Sequence, residues 1–237
     1  MKNLAKKLKE DSLKFGYVYH GKRRIFNAVK YLKKIIKGGE KILDIGGSLE
    51  GSGHGYSFEE YIKSECDVEY HCVNSNNLDM RENLLPFRND SFDLVISWET
   101  IEHLWIIDNA GQLSWKGVLN FWYESHRVLK PNGTFYVTTR NRVCPFAFRK
   151  ILHGDVPQCG SPRINRDGHV REFSPKEFRM IADGSKKFNV NEIFSHQSIP
   201  PECQRHANTF VPRLEKFLGK RLVQEEKFDT IFFISKK

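Results

Sequence analysis

A chain of 237 residues with a formal net charge of +9 is long enough for one domain with a full hydrophobic core. Its five cysteines form no Cys-x-x-Cys pair, which argues against a disulfide framework and a cysteine-rich metal site. A reducing, cytoplasmic setting is therefore expected, and no metal site is predicted. The basic N-terminus lacks the apolar core of a signal peptide, and no apolar run approaches the ~20 residues of a membrane span.

The excess positive charge lies at the N-terminus. Residues 1–41 contain 13 lysines and arginines but only three acids, whereas the rest of the chain is nearly balanced. Two interpretations remain open: a patch for an anionic partner such as RNA, a phosphorylated substrate or an acidic membrane surface, or a solvated helix face. Because no RNA-binding motif accompanies the lysines, nucleic acid is the less favoured partner.

The first half of the chain alternates helices and strands. The predicted elements are a helix over 22–37, a strand over 41–45, a helix over 57–64 with Ser57 as its N-cap, and strands over 68–74 and 92–97. Gly38-Gly39 ends the first helix. The stretch 75–91 is too short for a full helix and strand, so a third strand is predicted to be very short or missing.

The second half continues this alternation and adds two irregular segments. Its predicted elements are a helix over about 114–129, a strand over 134–139, a helix opening at Ser174-Pro175, and strands over about 188–195 and 228–235. Lys130-Pro131-Asn132-Gly133 is predicted as the turn that stops the helix. Residues 141–172 and 197–222 are long for ordinary connections, so we expect them to be insertions on the substrate side.

Three stretches together resemble a known family. They are KILDIGG at 41–47, LPFRNDSFDLVIS at 85–97 and IEHL at 101–104. These motifs resemble the small-molecule branch of the S-adenosylmethionine-dependent methyltransferases with a Rossmann-like fold. The resemblance implies an α/β, doubly wound, mostly parallel sheet with an antiparallel last strand. It also implies one domain over 1–237, in which 1–37 form a basic arm and helix, 38–140 form the cofactor-binding half, and S-adenosylmethionine is the cofactor.

The glycine-rich loop after the first strand is the first part of the implied cofactor site. The resemblance assigns Asp44 to fixing the loop, and Gly46 and Gly47 to close backbone approach to the cofactor. Ser48 stands where the family has a second glycine. A nicotinamide dehydrogenase would need a G-x-G-x-x-G pattern here, and the chain lacks its middle glycine.

The remaining implied cofactor residues follow the later strands. Asn74 ends the second strand, where enzymes that bind an adenosine ribose usually have an acid, so Asn74 either contacts the ribose without that charge or simply caps the strand. Asp79 resembles the acid that accepts the adenine amino group, with the Met80 amide facing the ring. Ser97 and Trp98 end the fourth strand, where an open α/β sheet presents its ligand crevice.

Candidate catalytic and acceptor-binding residues come from two places. His103 lies just after the fourth strand and is a candidate general base. The segment HVREFS at 169–174 resembles methyltransferases that modify sugars and cell-surface polysaccharides. It makes His169 a second candidate base and Arg171 a candidate clamp for an acid or phosphate, although both residues could instead cap the following helix. Glu99 is the second predicted substrate-binding residue.

The predicted activity is methyl transfer to a small, anionic or sugar-containing acceptor, such as a sugar nucleotide or a polysaccharide precursor. Two alternatives remain open. The chain is either an RNA methyltransferase that uses the basic N-terminal arm, or a non-catalytic relative in which Ser48 and Asn74 weaken cofactor binding.

Overall fold

The computed structural model describes residues 6–7, 10, 19–47, 58–74, 77–107, 110–145, 147, 171–196, 212–217 and 230–237. The elements in chain order are α1 (Tyr19–Ile35), β1 (Glu40–Ile45), α2 (Phe58–Lys63), β2 (Val68–Val73), β3 (Phe92–Trp98), a 3-10 turn (Ile101–His103), β4 (Ile106–Ile107), β5 (Leu113–Ser114), α3 (Lys116–Val128), β6 (Leu129–Arg140), α4 (Pro175–Ser185), β7 (Asn189–His196) and β8 (Thr230–Lys236). Ser57 and most of the two predicted insertions lie outside the described residues.

Six strands form one sheet in the order β2-β1-β3-β6-β8-β7. β1 pairs in parallel with β2 and β3, and β3 pairs in parallel with β6, whereas β8 runs antiparallel to both of its neighbours. The predicted mostly parallel sheet with an antiparallel last strand is therefore confirmed. No strand occurs over 77–91, as the shortness of that stretch predicted.

Apolar side chains cover both faces of the sheet, which explains why the central strand β3 is a nearly continuous apolar run without alternation. On one face, α1 and α2 pack with residues that include Ile42 and Ile96. On the other face, α3 and α4 pack with residues that include Leu43 and Val95. The fold is therefore doubly wound. No helix in the described part of the chain combines the length and the apolarity needed to cross a membrane.

Lys130-Pro131-Asn132-Gly133 does not form the separate turn that the sequence predicted. β6 begins directly after α3, at Leu129, and these four residues lie inside the strand. Phe92 pairs with Leu129 but Leu94 pairs with Thr134, so β6 advances five residues while β3 advances two. The turn conformation, with Asn132 at a φ of 64°, is accommodated as a bulge in β6 rather than as a break before it.

The helix α4 begins as its sequence predicted. The Ser174 hydroxyl accepts a hydrogen bond from the backbone N–H of Glu177, and the Glu177 carboxylate accepts one in return from the Ser174 backbone N–H, with Pro175 in the first turn.

The sequence did not predict the small hairpin of β4 and β5, in which Ile106 pairs with Ser114. This hairpin follows the 3-10 turn.

An ion pair on α3 holds the LPF segment before β3 in place. The Arg127 guanidinium donates to the backbone carbonyls of Leu85 at 2.9 Å and Phe87 at 2.7 Å, and the Glu124 carboxylate accepts from the Leu85 N–H at 2.7 Å. Burial alone would raise the pKa of Glu124, but the hydrogen bonds from Arg127 and Leu85 bring it below its usual range. The family-like LPF motif thus depends on two charges that are far away in the sequence.

Replacing Arg127 by Met should lower the free energy of unfolding by roughly 3 kcal/mol, because the buried Glu124 carboxylate would lose its cationic partner and two carbonyls their donor. Urea denaturation at neutral pH measures the change. Lys116→Met on the exposed start of the same helix is the matched control and should change stability by less than about 0.5 kcal/mol. Equal losses in the two variants would contradict this role of the ion pair.

Candidate functional site

The carboxyl ends of β1, β2 and β3 lie side by side and form the candidate site. The backbone N–H of Gly46 donates to the carbonyl of Val73 at 2.7 Å, and the hydroxyl of Ser97 donates to the carbonyl of Ile45 at 2.9 Å. Asn74 donates from its side-chain amide to the Gly47 carbonyl at 3.0 Å. These bonds bring together predicted residues from three separate parts of the chain.

The two glycines of the loop allow contacts that no side chain would permit. Gly46 has a φ of +87°, and a Cβ at that position would lie 2.0 Å from the hydroxyl oxygen of Thr100. A Cβ on Gly47 would lie 2.2 Å from Oδ2 of Asp44. The loop therefore packs its main chain directly on the Asp44 carboxylate and on the segment after β3.

Asp44 is a buried carboxylate with one hydrogen-bonded oxygen. The Tyr70 hydroxyl donates to Oδ2 at 2.5 Å, whereas Oδ1 is buried and has no hydrogen-bond partner within the described residues. Desolvation raises the pKa of Asp44 to about 7, which the Tyr70 hydrogen bond opposes and the nearby Glu59 carboxylate reinforces. An oxygen that lacks a donor beside a glycine loop is suited to receive one from a ligand.

Asp44 should make the protein less stable as pH rises. Its pKa is raised on folding, so the stability it contributes is complete below about pH 4 and lost as pH rises through about 7. The Asp44→Asn variant, whose side-chain carbonyl still accepts from Tyr70, should not lose stability in this range. Above pH 7 its free energy of unfolding, relative to wild type, should therefore rise by roughly 4 kcal/mol at most. Chemical denaturation of both proteins across this range measures the difference. Parallel pH–stability curves would contradict the raised pKa.

Asn74 and Ser97 use part of their hydrogen-bonding capacity to build the loop. The backbone N–H of Asn74 donates to Oδ1 of Asn77 at 2.8 Å, and the side-chain amide of Asn74 donates to the Gly47 carbonyl. The side chain that caps the end of β2 is therefore that of Asn77, whereas the Asn74 side chain faces the glycine loop. Ribose contact by Asn74 and cofactor contact by Ser97 remain predictions.

Asp79, Met80 and Trp98 lie in surroundings that the sequence did not predict. The Asp79 carboxylate receives hydrogen bonds from the Arg81 guanidinium at 2.7 to 3.2 Å, and these bonds hold its pKa below the usual range. Met80 is buried, and its carbonyl accepts from the Asn120 amide at 2.9 Å. Trp98 packs against Phe58 with ring centroids 4.8 Å apart. The adenine contacts of Asp79 and Met80 remain predictions, as does that of Trp98 with the cofactor.

The segment after β3 carries the predicted acceptor-side residues. Glu99 has a φ of 49° and lies 3.9 Å from the Arg140 guanidinium. Glu102 is fully buried, and its carboxylate accepts from the Thr139 hydroxyl at 2.8 Å. Desolvation and the neighbouring Glu99 raise the pKa of Glu102 to about 8. His103 is half-buried in the 3-10 turn, beside this group.

Arg171 lies beside the β4–β5 hairpin and contacts both an acid and an aromatic ring. Its guanidinium pairs with the Glu177 carboxylate and lies over the Trp105 ring, 4.6 Å from the centroid. Both open interpretations of Arg171 thus retain support, because Glu177 belongs to the cap of α4. Ser48 and His169 lie outside the described residues. No group of three or more His, Cys, Asp or Glu side chains is placed to hold a metal ion in the described part of the chain.

Sequence reasoning did not identify several residues that complete the site. They are Tyr70, Thr100 and Thr139, which come from strands or loops whose register only the fold sets. Their spacing along the chain gives no indication of these contacts. Glu102 also belongs to the site, and its position between the apolar residues of the IEHL motif, shortly after a buried strand, could have indicated a buried carboxylate.

Comparison with known proteins identifies relatives of this chain. The family described as "Methyltransferase domain" matches residues 57–137. A probable S-adenosylmethionine-dependent methyltransferase of Mycolicibacterium smegmatis is 33% identical over 89 residues, which cover 38% of this chain and 30% of that protein. The chain thus matches less than a third of the length of this curated relative.

Solved structures share the fold. A SAM-dependent methyltransferase from Archaeoglobus fulgidus has a TM-score of 0.56 at 16% identity, covering 95% of this chain and 97% of that one. Phosphoethanolamine N-methyltransferase 2 of Haemonchus contortus, solved with S-adenosyl-L-methionine, has a TM-score of 0.51 at 20% identity, covering 89% of this chain and 52% of that one. The predicted Rossmann-like fold and the resemblance to S-adenosylmethionine-dependent methyltransferases are confirmed.

Proposed function

We propose that this chain, a relative of the S-adenosylmethionine-dependent methyltransferases, binds S-adenosylmethionine at the carboxyl edge of β1, β2 and β3 and catalyses methyl transfer to a small acceptor. The observation that carries the proposal is the loop at Gly46 and Gly47, packed on the buried Asp44 carboxylate. The match of residues 57–137 to the methyltransferase domain supports the same activity.

The residues at this edge fit the cofactor chemically. The Asp44 oxygen without a donor is suited to the ammonium of the cofactor's amino acid moiety, directly or through water. Asn74 lies at the end of β2, where a ribose is bound in nucleotide-binding sheets. Gly46 and Gly47 permit the close approach of main-chain groups to the ligand.

The protein's own task is binding, orientation and exclusion of water. When bound, S-adenosylmethionine supplies a methyl group already activated on a sulfonium, so the chain need not create an electrophile. Holding the acceptor in line with that methyl group can lower the barrier by roughly 7 to 11 kcal/mol. Where the acceptor must lose a proton, His103 and His169 are the proposed bases.

We place the acceptor on the side of β3 and β6 that carries Glu99, His103 and Arg171. A small anionic or sugar-containing acceptor is favoured because a guanidinium beside aromatic rings binds carboxylates and phosphates well. The basic N-terminus supports an RNA acceptor less strongly. Two described lysines at this end are paired with acids, Lys33 with Glu65 at 2.5 Å and Lys7 with Glu60 at 3.1 Å.

Calorimetric titration with S-adenosylmethionine and S-adenosylhomocysteine should give micromolar binding. Gly47→Ala should weaken it at least about tenfold, because the new methyl group collides with Asp44. Asp79→Asn should weaken it by less, since Arg81 already shares that carboxylate. The matched control is Asp93→Asn at the amino end of β3, where Asp93 pairs with Lys130, and this change should leave binding unaltered.

Failure of the folded wild-type chain to bind either compound would overturn the proposed function and favour a non-catalytic relative. An Asp93→Asn effect as large as that of Gly47→Ala would contradict the assignment of the site to the carboxyl edge.

Methyl transfer should be detected first with sugar nucleotides and phosphorylated small molecules, measured as release of S-adenosylhomocysteine, with RNA as the comparison. His103→Gln should lower kcat roughly 100-fold and leave cofactor affinity unchanged if His103 removes the proton. The control is His126→Gln, because His126 packs on Phe188, 5.2 Å between ring centroids, on the α3 side of the core. Unchanged kcat in His103→Gln would exclude His103 as the base.

A further inference from the structure

Two arginines that are far apart in the sequence converge on one carboxylate beside the acceptor side of the site. Arg171 hydrogen-bonds to Oε1 of Glu177, and the Arg142 guanidinium lies 3.7 Å from the same oxygen. A parallel bridge between Asn141 and Phe173 creates this pairing, reinforced by the Arg142 N–H, which donates to the Phe173 carbonyl at 2.9 Å. Two positive charges thus face one negative charge.

We infer that Arg142 and Arg171 form an oxyanion pocket that binds the phosphate or carboxylate group of the acceptor, with Glu177 as its resident counter-ion. The role of the pocket in methyl transfer rests on the proposed function, but its affinity for anions does not. Arg142 is the new residue in this assignment, and Glu177 becomes a determinant of specificity rather than only a helix cap.

The two oxygens of Glu177 have different partners. Oε2 accepts from the Ser174 N–H at 2.7 Å and the Ser174 hydroxyl at 2.9 Å, so it serves the cap of α4. Oε1 faces the two guanidinium groups. One carboxylate oxygen cannot satisfy two forked donors, which leaves N–H groups and one positive charge available to a ligand oxyanion.

Two tryptophans line the same pocket. Arg171 lies 4.6 Å from the Trp105 ring centroid and 5.6 Å from that of Trp115, which orients the guanidinium plane and limits its movement. The Trp105 Nε1–H is buried and has no acceptor within the described residues. Trp115 is 37% exposed, which leaves the pocket open on the hairpin side.

The pocket adjoins the proposed methyl-transfer site through the chain itself. The Arg171 N–H points to the Glu102 carbonyl at 3.5 Å, and Glu102 is the neighbour of His103. Trp105 follows two residues later. An anion held by Arg142 and Arg171 would therefore fix one end of an acceptor whose other end reaches the carboxyl edge of β3.

Titration of the full chain with inorganic phosphate at constant ionic strength, followed by tryptophan fluorescence, tests the pocket. Acetate provides a second arm that separates a phosphate preference from a carboxylate preference. Wild-type protein should show saturable quenching that is lost in Trp115→Phe. Arg142→Gln and Arg171→Gln should each weaken binding about tenfold, and the exposed Arg88→Gln control should not.

Glu177→Gln gives the decisive result, because its expected effect is opposite in sign. The glutamine carbonyl can keep the cap with Ser174, while loss of the negative charge frees both arginines, so anion affinity should rise severalfold. If Glu177 served only the helix cap, the Glu177→Gln substitution would instead lower anion affinity or leave it unchanged. If an arginine variant fails to fold, Glu177→Gln and wild type still decide the question.

The pocket is overturned if phosphate and acetate both fail to bind wild type, if Arg142→Gln binds as wild type does, or if Glu177→Gln weakens binding or leaves it unchanged. Titration of the same proteins with S-adenosylhomocysteine separates this inference from the proposed function. Anion binding without cofactor binding would keep the pocket and remove its role in methyl transfer. Cofactor binding without anion binding would remove the pocket and leave the proposed function intact.

Discussion

The parallel pairing of β1 with β2 on one side and with β3 on the other is the constraint on which the site depends. Register places Asp44 opposite Cys72 and Ile96, so three carboxyl ends meet at one edge. The backbone groups freed there are bound by Gly46, Asn74 and Ser97. Any shift of one strand would separate these residues and expose the Asp44 carboxylate.

Two buried carboxyl groups lie at or just beyond this edge of the sheet, and their burial lowers the stability of the fold. Asp44 and Glu102 each receive one hydroxyl hydrogen bond, from Tyr70 and Thr139, and burial raises both pKa values, to about 7 and about 8. An apolar replacement would avoid this desolvation cost. Raised pKa values of this kind concentrate where ligands and protons are handled, which agrees with the position of both groups beside the proposed site.

The proposed acceptor side is assembled from segments that the sheet alone does not bring together. The hairpin of β4 and β5 follows the 3-10 turn, and the bridge from Asn141 to Phe173 brings the start of α4 to the end of β6. Arg142 and Arg171 meet at Glu177 only because of that bridge. The proposed cofactor side thus follows from the order of the parallel strands, whereas the proposed acceptor side depends on the bridge and the hairpin.

The sequence by itself determined the order of helices and strands, the absence of a strand over 77–91, the Ser174 cap and the resemblance to methyltransferases, because these depend on local periodicity, capping and short motifs. It predicted Asp44, Gly46 and Gly47 as one loop for the same reason. Only the tertiary structure decided that the Tyr70 hydroxyl donates to Asp44, that the Arg127 guanidinium donates to the carbonyls of Leu85 and Phe87, and that the turn at 130–133 lies within a strand. Such contacts join residues whose proximity depends on strand register and helix docking, which no local pattern encodes.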